Sequence, residues 1–317
     1  SVLGVLLGGL ITRRHLKRLR ASGLAVGEAA EIAFGRVEAT QPNWWILGGG
    51  LAFVVFTIGM GLSDISLNKE IIFLGSMAIV VFLMSRLIKV LKPEDRLVLV
   101  GTAVIIFVYR AMPTPGAGQT WWMIDGLGFD QQFLAVLSLI ASVLTLFGMF
   151  LFRRFMAERS IAYVIVFLTI ASSVLYLPII GMFYGLHEWT ASLTGGVVDA
   201  RFIGLVDTAL ESPLGQIAMI PMLAWIANSA PPNLKATFFA VMASFTNLAL
   251  SASQLGTKYL NQVFTVTREV KDRASDSISV PADYSELGLL MWSAMLLGLF
   301  VPIAAVLLIR FSSLKSA

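Results

Sequence analysis

Three ionisable side chains sit in stretches otherwise too apolar to hydrate them. Arg110 stands just ahead of a Pro-Thr-Pro-Gly run at 113–116, and Asp207 and Glu211 lie four residues apart, followed by Pro213, Gln216 and Pro221. A spacing of four puts the two carboxylates on one face of a helix. Inside a bilayer such groups cost a few kcal/mol each on insertion scales and by default mark substrate paths or proton relays. Proline removes an N–H from the helical ladder, so each stretch joins a weakened backbone to buried charge, and the two charges have opposite signs. Interrupted helices of this kind line the midplane cavities of secondary transporters. The expectation is that Arg110 pairs with Asp207 or Glu211 in at least one state, and that protonating the carboxylate releases the Arg for an anionic ligand. The same residues would also serve as a static ion pair fixing helix orientation, and an Asp207 close to the outer surface would simply be hydrated.

Hydrogen-bonding groups add to this set. Ser244, Asn247, Ser251 and Gln254 recur at spacings of three and four, forming one stripe on a helix. Such a stripe suits either a water-lined face or hydrogen bonding between helices. Gln216 and Asn247 are the candidates for contacting a substrate. Other chemistry is thin. The chain has no Cys and two His, His15 and His187, which excludes a thiolate nucleophile and a His-based metal centre, so neither metal nor cofactor is expected. An enzyme would need convergent nucleophile, base or metal ligands at one depth, and none are apparent. Gly48-Gly49-Gly50 lacks the strand and spacing of a nucleotide site. Asp125 and Asp130, flanking a Gly-rich turn, read as solvated carboxylates.

The elements that must position these residues follow from composition. Of 317 residues 57% are hydrophobic and 13% charged, against roughly 25% charged in an average soluble domain. The excess apolar surface must face lipid. Crossing the hydrocarbon takes about 20 apolar residues, and the complete candidates are 43–62, 70–91, 97–124, 133–152, 161–186, 203–227, 236–256 and 287–311. The third is interrupted by the 113–116 run and reads either as one broken helix or as a helix plus a loop. Residues 1–10 read as the interior of a ninth helix whose beginning lies upstream. The expected fold is therefore an all-α membrane protein with eight complete spans and the end of a ninth.

Charge orients the spans. Sixteen of the 23 Lys and Arg fall in the alternate segments 12–42, 85–96, 153–160, 227–235 and 310–317, leaving seven for the other side. The positive-inside rule then places the C-terminus in the cytoplasm of a multi-pass inner-membrane protein. This placement also accounts for the net charge of +4 without a nucleic-acid partner. Trp44, Trp45, Trp121, Trp122 and Trp189 lie near span ends, as interfacial aromatics do. The basic run at 13–20 and the residues after it read as a cytoplasmic connector lying along the membrane surface, and 272–283 as an exposed outer loop.

Several stretches resemble the folate–biopterin transporter family of the major facilitator superfamily. Residues 123–130 (MIDGLGFD) running into QQFLAVLSLIASVLTLFG are similar to that family's lead into its eighth helix, followed by the basic tail GMFLFRR at 148–154. Residues 207–221 (DTALESPLGQIAMIP) resemble its tenth helix, and 231–240 (PPNLKATFFA) with Asn247 resemble the loop and eleventh helix. The resemblance implies a major facilitator type bundle of two six-helix halves. Residues 1–91 would be the remnant of the first half (the end of helix four, a connector at 13–42, helices five and six) and 92–317 the second. It further implies a cavity lined by the first, fourth, seventh and tenth helices, with Arg110 and the Asp207/Glu211 pair on neighbouring cavity helices. The function expected is proton-coupled, alternating-access transport of a small organic anion, folate or pterin first, with Asp207 and Glu211 carrying protons and Arg110, Gln216 and Asn247 contacting substrate. The alternative is a non-transporting protein of the same fold that binds a pigment or assists complex assembly.

Overall fold

In a computed structural model, residues 2–26, 28, 32, 44–215, 217, 235–271 and 278–316 are described. They fall into two compact units that divide after Gly48. The first contains α1 (Val2–Ala21), one continuous helix. The basic run at 13–20 thus extends the apolar helix before it instead of starting a separate surface helix. The turn at Gly23, with φ of 88°, ends it in the left-handed conformation that suits glycine. Most of the expected connector lies outside the described residues.

The division falls within α2 (Trp44–Gly61), and the second unit takes α2 from Gly49 onward, then α3 (Asn68–Leu87), α4 (Pro93–Arg110), α5 (Ala117–Asp125), α6 (Gln131–Leu151), α7 (Arg153–Glu158) and α8 (Ile161–Phe183). It continues with α9 (Leu186–Leu193), α10 (Ala200–Glu211), α11 (Lys235–Val263) and α12 (Leu287–Phe311). The boundaries have local causes. Pro93 opens α4 with Glu94 and Asp95 in its first turn, where a missing N–H costs nothing and negative charge meets the positive end of the helix dipole. Asp130, Ser160 and Asp199 cap α6, α8 and α10 by accepting from the backbone N–H of Phe133, Tyr163 and Phe202.

Six helices among the described residues are long and apolar enough to cross a membrane: α2, α3 with its short 3₁₀ extension to Val90, α6, α8, α11 from Ala236, and α12. The outward side chains of α6, including Leu139, Val143, Leu146 and Phe150, are large, apolar and exposed. The chain is an integral, multi-pass, all-α membrane protein. Its sheet content among the described residues is one small antiparallel pair, β1 (Val270–Lys271) with β2 (Ile278–Val280), in the exposed connection before α12. The first half of the expected 272–283 loop, 272–277, lies outside the described residues.

The two remaining expected spans are the proline-bearing ones. Residues 97–124 form two helices, α4 and α5, separated by an irregular stretch at 111–116. Residues 203–227 begin as α10, which tightens into a 3₁₀ turn at Ser212–Leu214, and 218–227 lie outside the described residues. A buried cluster of Trp122, Phe129, Ile180, Ile203, Leu287 and Met291 ties α5, α8, α10 and α12 together near the break. Trp122 thus faces the core, packed edge-on against Phe183 at 5.5 Å, whereas Trp44 and Trp189 are exposed as interfacial residues should be.

Candidate functional site

The break between α4 and α5 leaves backbone groups that lipid could not satisfy. They are met by one face of α11. The Ser253 hydroxyl donates to the Met112 carbonyl at 2.6 Å, the Thr114 N–H donates to Thr257 Oγ1 at 3.0 Å, and Asn261 Nδ2 donates to the Pro115 carbonyl at 3.2 Å. Ser253, Thr257 and Asn261 recur every four residues and so share a face. Glycine lets the chains approach: Gly116 has φ of 75°, and a Cβ on Gly256 would stand 3.3 Å from the Pro113 ring. The second break is held in the same way. The Thr145 hydroxyl donates to the Ser212 carbonyl at 2.9 Å, and Gly148 of α6 lies directly against the Pro213 backbone.

Between the two breaks lies a cavity of about 370 Å³, within the usual range for small-molecule sites. Its lining includes Tyr109 and Met112–Pro115 from the first break, Glu211 from the second, and Ala294 and Met295 from α12. From α8 come Thr169, Ser172, Ser173 and Tyr176. Thr169 Oγ1 is buried without a hydrogen-bond partner among the described residues, and the Tyr176 hydroxyl donates to Gln119 Oε1 at 2.5 Å. The site thus presents hydroxyls, two phenol rings and one carboxylate to the cavity.

The five residues singled out in the sequence fare differently. Glu211 lines the cavity. Asp207, one turn earlier, lies outside the lining, with Oδ1 buried and unpaired among the described residues. Arg110 is half-buried and lies outside the lining. Among the described residues it makes no ion pair with Asp207 or Glu211 in this structure. Its neighbour Tyr109 faces the cavity instead, since adjacent helical positions point about 100° apart. Asn247 is exposed on α11 and borders this cavity at no point. Gln216 lies outside the described residues. The α8 residues were not foreseen, although Thr169, Ser172, Ser173 and Tyr176 occupy positions i, i+3, i+4 and i+7 of an otherwise apolar helix, a stripe open to the same reading as the one on α11.

Asp125 and Asp130, read as solvated, are both engaged in ion pairs outside the cavity lining. Asp125 accepts from the Tyr284 hydroxyl at 2.5 Å and from Arg268 at 3.0 and 3.2 Å. Asp130 accepts from Arg201 at 2.9 Å besides capping α6. Hydrogen bonding, from Tyr284 first and then Arg268, holds the Asp125 carboxyl below its ordinary value, and Tyr284 is pushed up to about 12, chiefly by desolvation. No cluster among the described residues could hold a metal ion.

The fold and site define a multi-pass helical membrane protein with a polar cavity where two interrupted helices meet. The chain belongs to the BT1 family, the folate–biopterin transporter family, whose model matches residues 48–310. A folate–biopterin transporter of Synechocystis is 30% identical over 144 residues, 45% of this chain and 28% of that protein. Folate transporter 2 of Plasmodium falciparum is 27% identical over 166 residues, 50% of this chain and 34% of that protein. A putative folate transporter 2 of Plasmodium berghei is 27% identical over 169 residues, with 51% and 34% covered. The matched stretches thus span about a third or less of these relatives' length. No solved structure matches.

Proposed function

We propose that the protein is a proton-coupled secondary transporter of a small organic anion, with folate or a pterin as the first substrate class, working by alternating access in a major facilitator type bundle. The observation that carries this reading is the cavity between the two breaks, where one carboxylate, two phenols and a row of hydroxyls converge. Family membership supports the substrate class, since the three relatives are named for folate or biopterin transport. A pterin is flat and carries donors and acceptors around its edge. It could lie against Tyr109 or Tyr176 while its edge meets Ser172, Ser173 and Thr169.

In this scheme Glu211 takes up and releases the coupling proton at the cavity wall, and Asp207 one turn away passes it on or shares it. Arg110, a helix-end residue beside Tyr109, turns toward the substrate's anionic group or toward the carboxylates in a state in which the 92–317 half has rocked against 1–91. Gln216 and Asn247 serve as hydrogen-bonding groups in such states. The C-terminus lies in the cytoplasm.

The test is pH-gradient-driven uptake of labelled folate and biopterin into vesicles carrying the protein. Uptake is expected in the wild type, loss of it in Arg110→Ala, and loss of its pH dependence in Asp207→Asn/Glu211→Gln. Unchanged pH-driven uptake in the double variant would remove the coupling scheme. A well-folded wild type that takes up neither compound would remove the substrate class.

A further inference from the structure

A second cavity of about 360 Å³ lies between α2, α3 and α11, away from both breaks, with Thr57, Lys69, Ser251, Gln254 and Lys258 among its lining residues. It belongs to none of the machinery described above. Its polar lining is two ammonium groups, the hydroxyls of Thr57, Ser76 and Ser251, and the Gln254 amide. Lys258 Nζ meets Glu70 Oε1 at 2.6 Å, and Tyr259 donates to the same oxygen at 2.8 Å. The other oxygen of that carboxylate, Oε2, is buried with no hydrogen-bond partner among the described residues. Glu70 is thus held by two donors through one oxygen while the other has none, which leaves part of its acceptor capacity unused. Thr57 Oγ1 is likewise buried and unpaired. Lys69 is exposed at the margin and makes no ion pair among the described residues.

Two cations and one unpaired hydroxyl thus border one space, beside a carboxylate that is satisfied on one side only. Phe53 and Phe73 supply aromatic wall. We infer that this cavity is a second anion site, taking an anionic oxygen group carried on an apolar or aromatic body, and that Lys258 exchanges Glu70 for the ligand when it fills. The ligand group bonds Lys258 and Thr57 together, and Lys69 adds long-range attraction at the mouth. Glu70 acts as a built-in competitor that occupies Lys258 when the site is empty, and its side chain, already 15% exposed against 37% for Lys258, turns toward water on release. The site is distinct from the Glu211 cavity, so its existence does not depend on the transport reading.

The experiment is calorimetric titration of benzoate into the full chain in nanodiscs of neutral phosphatidylcholine. Glu70→Gln, which removes the internal competitor but keeps its shape, is expected to tighten benzoate at least fivefold. Lys258→Gln should abolish binding, and Thr57→Val and Lys69→Gln should each weaken it several-fold. Lys92→Gln, a cation far along the chain at the start of α4, should leave it unchanged. If Lys258→Gln does not fold, the Glu70 and Thr57 variants carry the test. Repeating the titration in phosphatidylglycerol distinguishes the ligand's source: loss of benzoate binding there means that a lipid phosphate fills the same site, and unchanged binding means a soluble carboxylate. Benzoate affinity that is equal or weaker in Glu70→Gln, or that survives Lys258→Gln, would overturn the inference.

Discussion

A carboxylate's partners decide what it can do, and the acidic residues of this chain divide along that line. Glu211 faces an open cavity, Glu70 is held by Lys258 and Tyr259, and Asp125 is fixed by Arg268 and Tyr284. Asp125 lies outside the spans and gives a prediction free of transport chemistry. Its folded-state pKa is depressed below the ordinary 3.8, so the ionised form is the one the fold favours. The stabilisation is therefore fully present above pH 4 and is lost as pH falls through the folded value. Because the partners are 32% and 41% exposed, solvent screening keeps the effect small. Asp125→Asn should lower the melting temperature by a few degrees at pH 7. The gap between variant and wild type should close below pH 4 in melting curves recorded across pH, and a gap that persists there would mean that Asp125 acts through shape and not charge.

At the scale of elements, the two interruptions organise the structure because each is paired with a neighbour that satisfies it. The break at 111–116 could be read from its prolines, and the α6, α8 and α10 caps from an Asp or Ser ahead of an apolar run. The clasp on the break was less accessible. Ser253, Thr257 and Asn261 form a period-four face, but it runs past the expected helix end at 256, whereas α11 continues to Val263. The stripe that drew attention, through Ser244 and Asn247, lies on a different face, and its later members Ser251 and Gln254 border the second cavity instead. Glu70 and Lys258 are 188 residues apart, and no local pattern announces such a pair. The expected Arg110 ion pair required knowing which of two adjacent residues turns inward, which depends on tertiary packing. The junction between α6 and the second break yields a prediction. A Cβ on Gly148 would stand 2.2 Å from the Pro213 carbonyl oxygen, and backbone cannot yield as a flexible side chain can. Gly148→Ala should destabilise the protein by about 1–3 kcal/mol, the usual cost of overpacking, and impair uptake by moving Glu211. Gly59→Ala, where nothing lies within 4 Å, should be neutral or slightly stabilising. Thermal unfolding in detergent compares the two, and equal melting temperatures would show that α6 and the 212–214 turn separate at little cost.

At the scale of the whole molecule, the open question with most consequence is which way the bundle faces, because that decides the side from which each cavity is reached. The charge count argues one way. Segments holding sixteen of the 23 basic residues would lie in the cytoplasm, leaving Asp125, Arg201, Arg268 and the β1–β2 connection outside. Long connections obey the rule weakly, and the one before α12 carries three of the seven opposing charges (Arg268, Lys271 and Arg273), with Lys258 near the end of α11 a fourth. The absence of cysteine from these 317 residues makes the question directly answerable, since an introduced thiol is the only one among them. Ser313, two residues beyond α12, and Ser279, in β2, are both exposed and lie on opposite sides of α12, one span apart. With a membrane-impermeant maleimide on intact cells, Ser279→Cys should label and Ser313→Cys should label only after the membrane is opened. The reverse pattern would invert the topology and place the Lys258–Glu70 pair, near the end of α11 that precedes this connection, on the cytoplasmic side. Benzoate would then reach the second cavity from inside the cell, and the anion that fills it would have to be a cytoplasmic one.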